Sequence, residues 1–299
     1  MKKYQDLAGD GGSNIVEQVI RLKEDIASSL QPLRHRLAVG SGKGGVGKST
    51  LTMLLALALK DQGRRPVILD ADLNGPSQAR LGGMSARVPV PAKRGLAVPL
   101  TADGIGVVSM GTVVPESEQV DFPSLSQGDS YVWRAAKEFS VLSDFLAGSD
   151  WTPFDTLLLD LPPGAERTFQ YAEFLGPETA FLLVTIPSDV SRGVVRRSVA
   201  ALSRTGSPLL GYVENMKGYY CSCCGQVRPL FPDSGQVELG IPCLGAVPFD
   251  PELAALCDQG LSLEGQKGSA AWKAIEALCD EVHKEFHAEA QRRRERQKR

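Results

Sequence analysis

Short runs of consecutive apolar residues recur along the chain, and they lack the alternation with polar residues that marks a half-exposed strand. Continuous apolar runs of strand length are typical of strands buried on both faces of a parallel sheet. The pattern therefore predicts strands at 37–41, 66–70, 104–111, 156–160, 180–186, 209–213 and 242–247.

Between these runs, apolar residues recur three or four positions apart, which is the spacing of one helix face. The first run leads through a Gly-rich turn into an apolar helix that Gly63 ends. We expect loops at 82–104, which is rich in Gly, Pro and Ala, and at the polar segment 115–130. Helices are predicted at 15–30, 49–63, 131–148, 190–206 and 270–286, followed by a solvated basic tail, QRRRERQKR.

The alternation of these strands and helices predicts an α/β fold with a doubly wound, mainly parallel sheet. Ligands of such folds bind at the carboxyl ends of the strands. We expect the main domain at 36–265, a helical arm at 1–35, and a C-terminal helix with its basic tail at 266–299.

Composition and charge narrow the class of protein. The 299 residues are 42% hydrophobic and 23% charged, with a formal net charge of -2, which is typical of a globular protein and argues against a nucleic-acid partner. The apolar run 51–59 is far shorter than the roughly 20 residues of a membrane span. The polar start lacks the apolar stretch of a secretory signal, so we expect a cytoplasmic protein with no membrane partner.

The strongest motif is GKGGVGKS at 42–49, which fits G-x-x-x-x-G-K-[ST] between a predicted strand and a predicted helix. Glycines let backbone N–H groups converge on phosphate oxygens, and the helix N-terminus adds a favourable dipole. In this pattern Lys48 reaches the β- and γ-phosphates, and the Ser49 hydroxyl binds Mg²⁺. A Gly-rich turn without ligand is the alternative, but the strand and helix around the motif favour a site for ATP and Mg²⁺.

Two aspartates follow predicted strands. Asp160 ends the run 156–160 and is predicted to hold Mg²⁺ through water, and Asp72, just past 66–70, is predicted to orient the attacking water. An Asp at either position can also merely cap a loop or helix. The phosphate-binding motif upstream favours the functional interpretation of both.

Lys43 is a second lysine inside the motif. With it, residues 42–50 resemble the deviant Walker A loop of the family that contains MinD, ParA and the nitrogenase iron protein. The resemblance implies that Lys43 reaches the partner's nucleotide across a dimer, and that Lys43, Lys48, Asp72 and Asp160 are the catalytic residues. The nucleotide-binding residues are then Gly42, Lys43, Gly44, Gly45, Val46, Gly47, Lys48, Ser49 and Thr50.

The chain has six cysteines, and three of them lie within 221–224. Such clustering indicates metal or redox chemistry rather than a disulfide scaffold. Cys221 and Cys224 form C-x-x-C, which can chelate iron or zinc, whereas a complete site usually takes four ligands. Either Cys223 and Cys243 complete the site within the chain, or a two-fold dimer supplies two cysteines from each subunit.

Three other interpretations of these cysteines remain open, namely structural zinc, a redox dithiol and buried packing. The other three cysteines are expected to be buried packing residues rather than ligands; they are Cys243, Cys257 and Cys279.

Several motifs in order resemble the Mrp/ApbC family of iron–sulfur carrier ATPases. They are DADLNGPS (70–77), VWR (132–134), DLPPG (160–164), VENM (213–216), CSCCG (221–225) and GAVP (245–248). The resemblance implies a SIMIBI-type P-loop NTPase fold and a homodimer with a 4Fe–4S cluster bridged by Cys221 and Cys224 of both chains. It also implies that Asn215 recognises adenine.

The same resemblance implies a slow ATPase that takes clusters from scaffold proteins and delivers them to apo iron–sulfur proteins. One segment departs from it, because Ala165, Glu166 and Arg167 stand where the family commonly has Thr-Gly-Asp. This segment is the expected link between nucleotide state and subunit interface. The alternatives are a ParA/MinD-type positioning ATPase, which has no need of C-x-x-C, and a P-loop ATPase with structural zinc.

Overall fold

The computed structural model describes residues 15–86, 90–114, 131–231 and 239–297, so the loop predicted at 115–130 lies outside the described residues. The helices are α1 Ile15–Ser29, α2 Lys48–Asp61, α3 Gln78–Leu81, α4 Tyr131–Gly148, α5 Ala165–Leu175, α6 Asp189–Leu202, α7 Pro251–Cys257, α8 Leu263–Gln266 and α9 Ala270–Gln297. The strands are β1 His35–Ser41, β2 Pro66–Asp70, β3 Gly106–Val108, β4 Thr156–Asp160, β5 Ala180–Thr185, β6 Leu209–Cys221, β7 Gln226–Pro229 and β8 Cys243–Phe249.

The strands form one sheet in the order β3-β2-β4-β1-β5-β6-β7, with β8 also paired to β6. Every pairing is parallel except that of β6 with β7. The register places Asp160 beside both Val39 and Asp70. The carboxyl ends of β1, β2 and β4 therefore meet at one edge, where the motif after β1 begins.

Helices cover both faces of the sheet, which confirms the predicted doubly wound α/β class. One face buries apolar side chains of α2 and α9 in a common core. The other face buries side chains of α4, α5 and α6 in a second core that includes Trp151. All residues of β2, β4 and β5 are buried, as their uninterrupted apolar runs predict.

The predicted strand at 209–213 is too short. In the structure β6 continues to Cys221, and its last residues pair with the exposed strand β7 to form a hairpin. The apolar run ends at Val213 because the next two residues, Glu214 and Asn215, are polar although they are still buried. Met216 adopts a positive φ of 54°, and beyond it Lys217 and Tyr219 are exposed.

The predicted strand at 104–111 is too long. β3 spans only Gly106–Val108, and a 3-10 helix follows at Met110–Thr112, capped by the Ser109 side chain. A short polar cap therefore interrupts the apolar pattern that predicted a longer strand.

The C-terminal basic segment continues a helix, in which Gln291, Arg292 and Glu295 are exposed to solvent. α9 extends to Gln297, beyond the predicted end at 286, and Arg292 forms ion pairs with Glu285 and Glu289 on the same helix. Its first half is part of the core, with Trp272, Ile275 and Leu278 buried. Among the described helices, none is long and apolar enough to cross a membrane.

Candidate functional site

The loop between β1 and α2 forms an open cavity of about 400 Å³ at the carboxyl edge of the sheet. Gly45 and Gly47 adopt φ of 77° and 81°, in the left-handed region that favours glycine. A Cβ at Gly47 would lie 2.2 Å from Nδ2 of Asn215, so a side chain there would collide with its neighbour. The backbone therefore adopts the curled path that the motif predicts. Residues that line the cavity include Ser41, Lys43, Gly44, Gly45, Val46, Gly47, Lys48, Ser49, Thr50, Asp72 and Ser77.

A buried ion pair joins Lys48, the first residue of α2, to Asp160 at the end of β4. Lys48 is 6% exposed and Asp160 is fully buried, so this charge pair is largely shielded from solvent. Lys48 Nζ also lies 3.3 Å from the Ser49 hydroxyl oxygen. The structure therefore brings together three side chains that the sequence predicts around phosphate and Mg²⁺.

Gln78 contacts this ion pair, although the sequence does not single it out. Its side-chain amide donates to Asp160 Oδ2 at 2.7 Å and to the Ser49 carbonyl at 3.0 Å. Both oxygens of the Asp160 carboxylate are thus engaged, one by Lys48 and one by Gln78. No sequence pattern marks Gln78 as a site residue, because it reaches Asp160 at the end of β4 only through the packing of α3.

Asp70 is a second residue without a predicted role. Its carboxylate is fully buried and accepts hydrogen bonds from the N–H groups of Ser77 and Gln78 and from the Ser109 hydroxyl. Burial and the neighbouring Asp160 carboxylate raise the pKa of Asp70 to about 7. Asp70 therefore anchors the far end of the loop that carries Asp72.

Asp72 and Lys43 both face the cavity. Asp72 is partly buried, and burial raises the pKa of its carboxyl although the nearby Lys48 ammonium opposes the shift. Lys43 is exposed, and its carbonyl accepts a hydrogen bond of 3.1 Å from the Ser41 hydroxyl. An exposed ammonium at the cavity mouth can be reached from outside the chain.

Asn215 lies on β6 and contacts the loop directly. Its Nδ2 donates a hydrogen bond of 2.8 Å to the Val46 carbonyl. The prediction that Asn215 recognises adenine came from family resemblance. The structure places its side chain against the phosphate-binding loop.

The segment 165–167 begins α5, which the sequence pattern does not predict. Gly164 precedes it with a φ of 120° and donates its N–H to the Ser41 carbonyl at 2.8 Å. Arg167 forms an ion pair with Glu138 of α4, and Asn74 Nδ2 donates to the same carboxylate at 2.7 Å. The segment that departs from the family pattern is thus tied to the loop after Asp72.

Cys221 is the last residue of β6, and Cys223 and Cys224 lie in the turn that leads to β7. Cys221 is partly exposed and the other two are exposed. Hydrogen bonds from the backbone and thiol of Cys224 and the backbone of Cys223, with Arg228 nearby, lower the pKa of the Cys221 thiol. A thiol with a lowered pKa is a better metal ligand, because ligands bind as thiolates.

Cys243 is exposed, so the expectation that it is buried is wrong. It is the first residue of β8, where it pairs with Tyr212, whereas Phe249 at the other end of β8 pairs with Tyr219 near the hairpin. Six strand residues span about 20 Å, so Cys243 lies too far away to share a metal with Cys221. Within the described ranges, no three His, Cys, Asp or Glu side chains converge as metal ligands.

Cys279 is buried in α9, as expected, and burial raises the pKa of its thiol to about 12. Cys257 is partly buried at the end of α7 and borders the cavity, where its thiol lies 3.9 Å from the Thr50 hydroxyl. Burial raises the pKa of the Cys257 thiol as well.

The chain matches a family model and curated relatives over most of its length. The family model described as ParA, NUBPL iron-transfer P-loop NTPase, matches residues 32–283. The human cytosolic Fe-S cluster assembly factor NUBP2 is 35% identical over 265 residues, which cover 85% of this chain and 94% of the human protein. The cytosolic Fe-S cluster assembly factor Nubp1 homolog of Drosophila sechellia is 31% identical over 275 residues, covering 87% and 85% of the two chains.

Solved structures agree with these sequence matches. A nucleotide-binding protein from Archaeoglobus fulgidus, in complex with ADP, has a TM-score of 0.67 and 30% identity, covering 84% of this chain and 95% of that one. MinD from Pyrococcus furiosus has a TM-score of 0.59 at 23% identity, covering 84% and 99%, a likeness of fold alone. The comparisons confirm the predicted fold class and the predicted family resemblance.

Proposed function

Because this chain belongs to the family of NUBPL iron-transfer P-loop NTPases, we propose that it is an ATP-dependent carrier of a 4Fe–4S cluster. The carrier works as a homodimer in the cytosol and couples ATP binding and hydrolysis to cluster transfer. The observation that carries the proposal is the path of β6. This strand holds Asn215 against the phosphate-binding loop and ends at Cys221, in the hairpin that β6 forms with β7. One strand thus connects the phosphate-binding loop to the thiols of Cys221, which is partly exposed, and Cys224, which is exposed.

The thiol pair fits a cluster shared between two chains. Cys221 and Cys224 lie close together at the tip of an exposed hairpin, and the lowered pKa of Cys221 favours the thiolate. A 4Fe–4S cluster takes four thiolates, and two copies related by a two-fold axis supply four from one pair each. The cluster is the cargo of the carrier, so exposed ligands at a subunit interface favour its release.

The phosphate-binding loop fits ATP and Mg²⁺. Residues 43–50 line the cavity, and Lys48, Ser49 and Asp160 lie together beside it. Bound phosphate competes with Asp160 for the Lys48 ammonium, which leaves the Asp160 carboxylate able to hold Mg²⁺ through water. Mg²⁺, when bound, neutralises charge that develops on the phosphates.

The remaining polar groups of the cavity have roles in hydrolysis. Asp72 faces the cavity and orients the attacking water. Lys43 is exposed at the mouth, and in the dimer it reaches the partner's nucleotide and stabilises charge on the γ-phosphate. The hydrogen bond between Asn215 and Val46 transmits changes in the loop to β6.

Scaffold proteins donate the cluster, and apo iron–sulfur proteins receive it. Support comes from the relatives, which bear the name cytosolic Fe-S cluster assembly factor. Their name also supports the cytosolic location proposed for this chain.

Anaerobic reconstitution with iron and sulfide tests the proposal. We expect about four irons and four sulfides per dimer and a broad visible absorbance band. Cys221→Ala and Cys224→Ala should each lose the cluster while still binding ATP. Cys243→Ala is the matched control, because it removes an exposed thiol far from the hairpin. Tightly held zinc, or full iron content in Cys221→Ala, would reject the carrier and favour a structural metal site.

A further inference from the structure

Three ion pairs in the described part of the chain have both side chains largely buried. Lys48–Asp160 belongs to the nucleotide cavity, and Arg192–Glu214 joins α6 to β6. The third, Arg167–Glu138, has side chains that are 15% and 10% exposed. No step of the proposed carrier mechanism uses this third pair. Burying a carboxylate and a guanidinium costs desolvation free energy, so we expect a shielded ion pair outside the apolar core to have a specific role.

The pair joins three segments that are distant in sequence. Arg167 is the third residue of α5, Glu138 is on α4, and Asn74 follows Asp72 in the loop after β2. One carboxylate holds the other two side chains, since Glu138 Oε1 accepts from Asn74 Nδ2 and Oε2 pairs with Arg167. If the loop or α5 moved away from α4, this buried carboxylate would lose one of its two partners.

The loop that carries Asp72 is thus held at two points. Glu138 holds Asn74 in its middle, and the Asp70 carboxylate accepts the N–H groups of Ser77 and Gln78 at its end. The Gly75 N–H also donates to the Asp72 carbonyl at 3.2 Å, which closes a turn that includes both Asp72 and Asn74. The start of α5, which carries Arg167, is anchored as well. The Gly164 N–H, just before α5, donates a hydrogen bond to the carbonyl of Ser41, the last residue of β1 before the phosphate-binding loop.

We propose that the Arg167–Glu138 ion pair is a positioning device that fixes the Asp72 loop against α5, and that it controls the rate of ATP hydrolysis rather than nucleotide affinity. This inference rests on the proposed function, because it assumes that Asp72 orients water. We expect nucleotide affinity to be independent of the ion pair, because the loop and Lys48 form the nucleotide cavity. Neither Arg167 nor Glu138 lines this cavity. Small misplacements of a group that orients a reactant lower rates strongly.

Single substitutions separate rate from affinity. In Arg167→Gln and Glu138→Gln we expect kcat to fall about tenfold or more, with KM for ATP and the Kd for ADP within about twofold of the parent. Arg167→Lys keeps the charge and should recover most of the rate. The control is Arg65→Gln, which removes an ion pair with Asp155 at the opposite end of the sheet. Unchanged kcat in both Gln variants of an active enzyme would overturn the proposal.

The pH profile adds a readout that a merely structural role would not move. The Arg167 guanidinium is one of the charges that lower the pKa of Asp72. The acidic limb of kcat should therefore move to higher pH in Arg167→Gln but not in Glu138→Gln, where the guanidinium remains. The same shift in both variants, or none in either, counts against a positioning role.

Hydrogen–deuterium exchange tests the positioning itself without any hydrolysis. Peptides that cover 72–78 should exchange faster in Arg167→Gln and Glu138→Gln than in the parent or in Arg65→Gln. Unchanged exchange at 72–78 would overturn the proposal. If the parent protein hydrolyses no ATP at all, the proposed ATPase function fails, and the exchange experiment still decides whether the pair positions the loop.

Discussion

The Asn215 side-chain amide donates a hydrogen bond of 2.8 Å to the Val46 carbonyl, so β6 is joined to the phosphate-binding loop. Asn215→Asp removes the donor and places a carboxylate against a carbonyl oxygen. We expect ADP and ATP to bind at least about tenfold more weakly, equivalent to about 1.4 kcal/mol, as measured by calorimetric titration. Asn215→Ala should have a smaller effect. Wild-type affinity in Asn215→Asp would show that this hydrogen bond does not shape the cavity.

Gly45 and Gly47 offer a matched pair of substitutions. Both have a positive φ, but a Cβ at Gly45 meets no atom within 4 Å, whereas one at Gly47 meets Asn215 Nδ2 at 2.2 Å. An Ala at either position costs about 1–2 kcal/mol of backbone strain, and Gly47→Ala adds the collision. Urea unfolding of the nucleotide-free protein should therefore show a larger loss for Gly47→Ala. The added Asn215→Ala should recover stability in Gly47→Ala and not in Gly45→Ala.

The three histidines of the chain lie together, although His35 begins β1 and the other two are on α9. Burial lowers the pKa of His35 and of His283, and the nearby Arg64 cation lowers both further, while Asp155 and Asp280 oppose these shifts. A base with a depressed pKa binds fewer protons when folded than when unfolded. Its contribution to stability is thus present above the unfolded pKa and is lost as pH falls below about 6.5.

The histidines should therefore lower the free energy of unfolding as pH falls from 7.5 to 5.5, whereas protonation of Asp70, whose pKa is raised to about 7, acts in the opposite direction. Because only the histidines differ, the slope of the free energy of unfolding against pH should be more positive in the parent than in the double variant His35→Gln/His283→Gln. Urea unfolding across this range measures both slopes. Equal slopes in the two proteins would contradict a histidine origin.

The six thiols should react with iodoacetamide at very different rates, because the thiolate is the reactive form. Cys221 should react fastest, since it is accessible and its pKa is lowered. Cys279 should be protected until the protein unfolds, because it is buried and its pKa is raised to about 12. Mass spectrometry of timed samples gives the rates. Fast labelling of Cys279 in the native protein would show that α9 detaches from the core.

Shortening α9 at two points should have opposite results. Ending the chain at 269 removes the buried Trp272, Ile275 and Leu278, each worth about 1.5–3 kcal/mol of burial, out of a total stability of about 5–15 kcal/mol. We expect this protein to be unfolded by circular dichroism. Ending the chain at 290 removes a mainly basic segment in which Gln291, Arg292 and Glu295 are exposed, and it should leave Tm within a few degrees. Equal stability of both truncations would contradict the packing of α9.

The sequence pattern located the central strands well, because these strands are buried on both faces and carry uninterrupted apolar runs. The predicted bounds of β1, β2, β4 and β5 lie within two residues of the observed ones. β7 and the outer part of β6 were missed, because an exposed hairpin needs no apolar run. α5 was missed as well, because its buried positions include the polar Thr168 beside Tyr171 and Ala172 and form no clear apolar stripe.

The sequence by itself predicted the phosphate-binding loop and the C-x-x-C pair. Both are formed by residues that are neighbours in sequence, and the spacing of those residues indicates what they can bind. Tertiary structure decided which distant side chains act on them. Gln78 reaches Asp160, Asn215 reaches Val46, and Glu138 joins Arg167 to Asn74 only after the strands have paired and the helices have packed. It also placed Cys243 far from the hairpin thiols. The physical reason is that strand register and helix packing depend on the whole buried core, which no local pattern encodes.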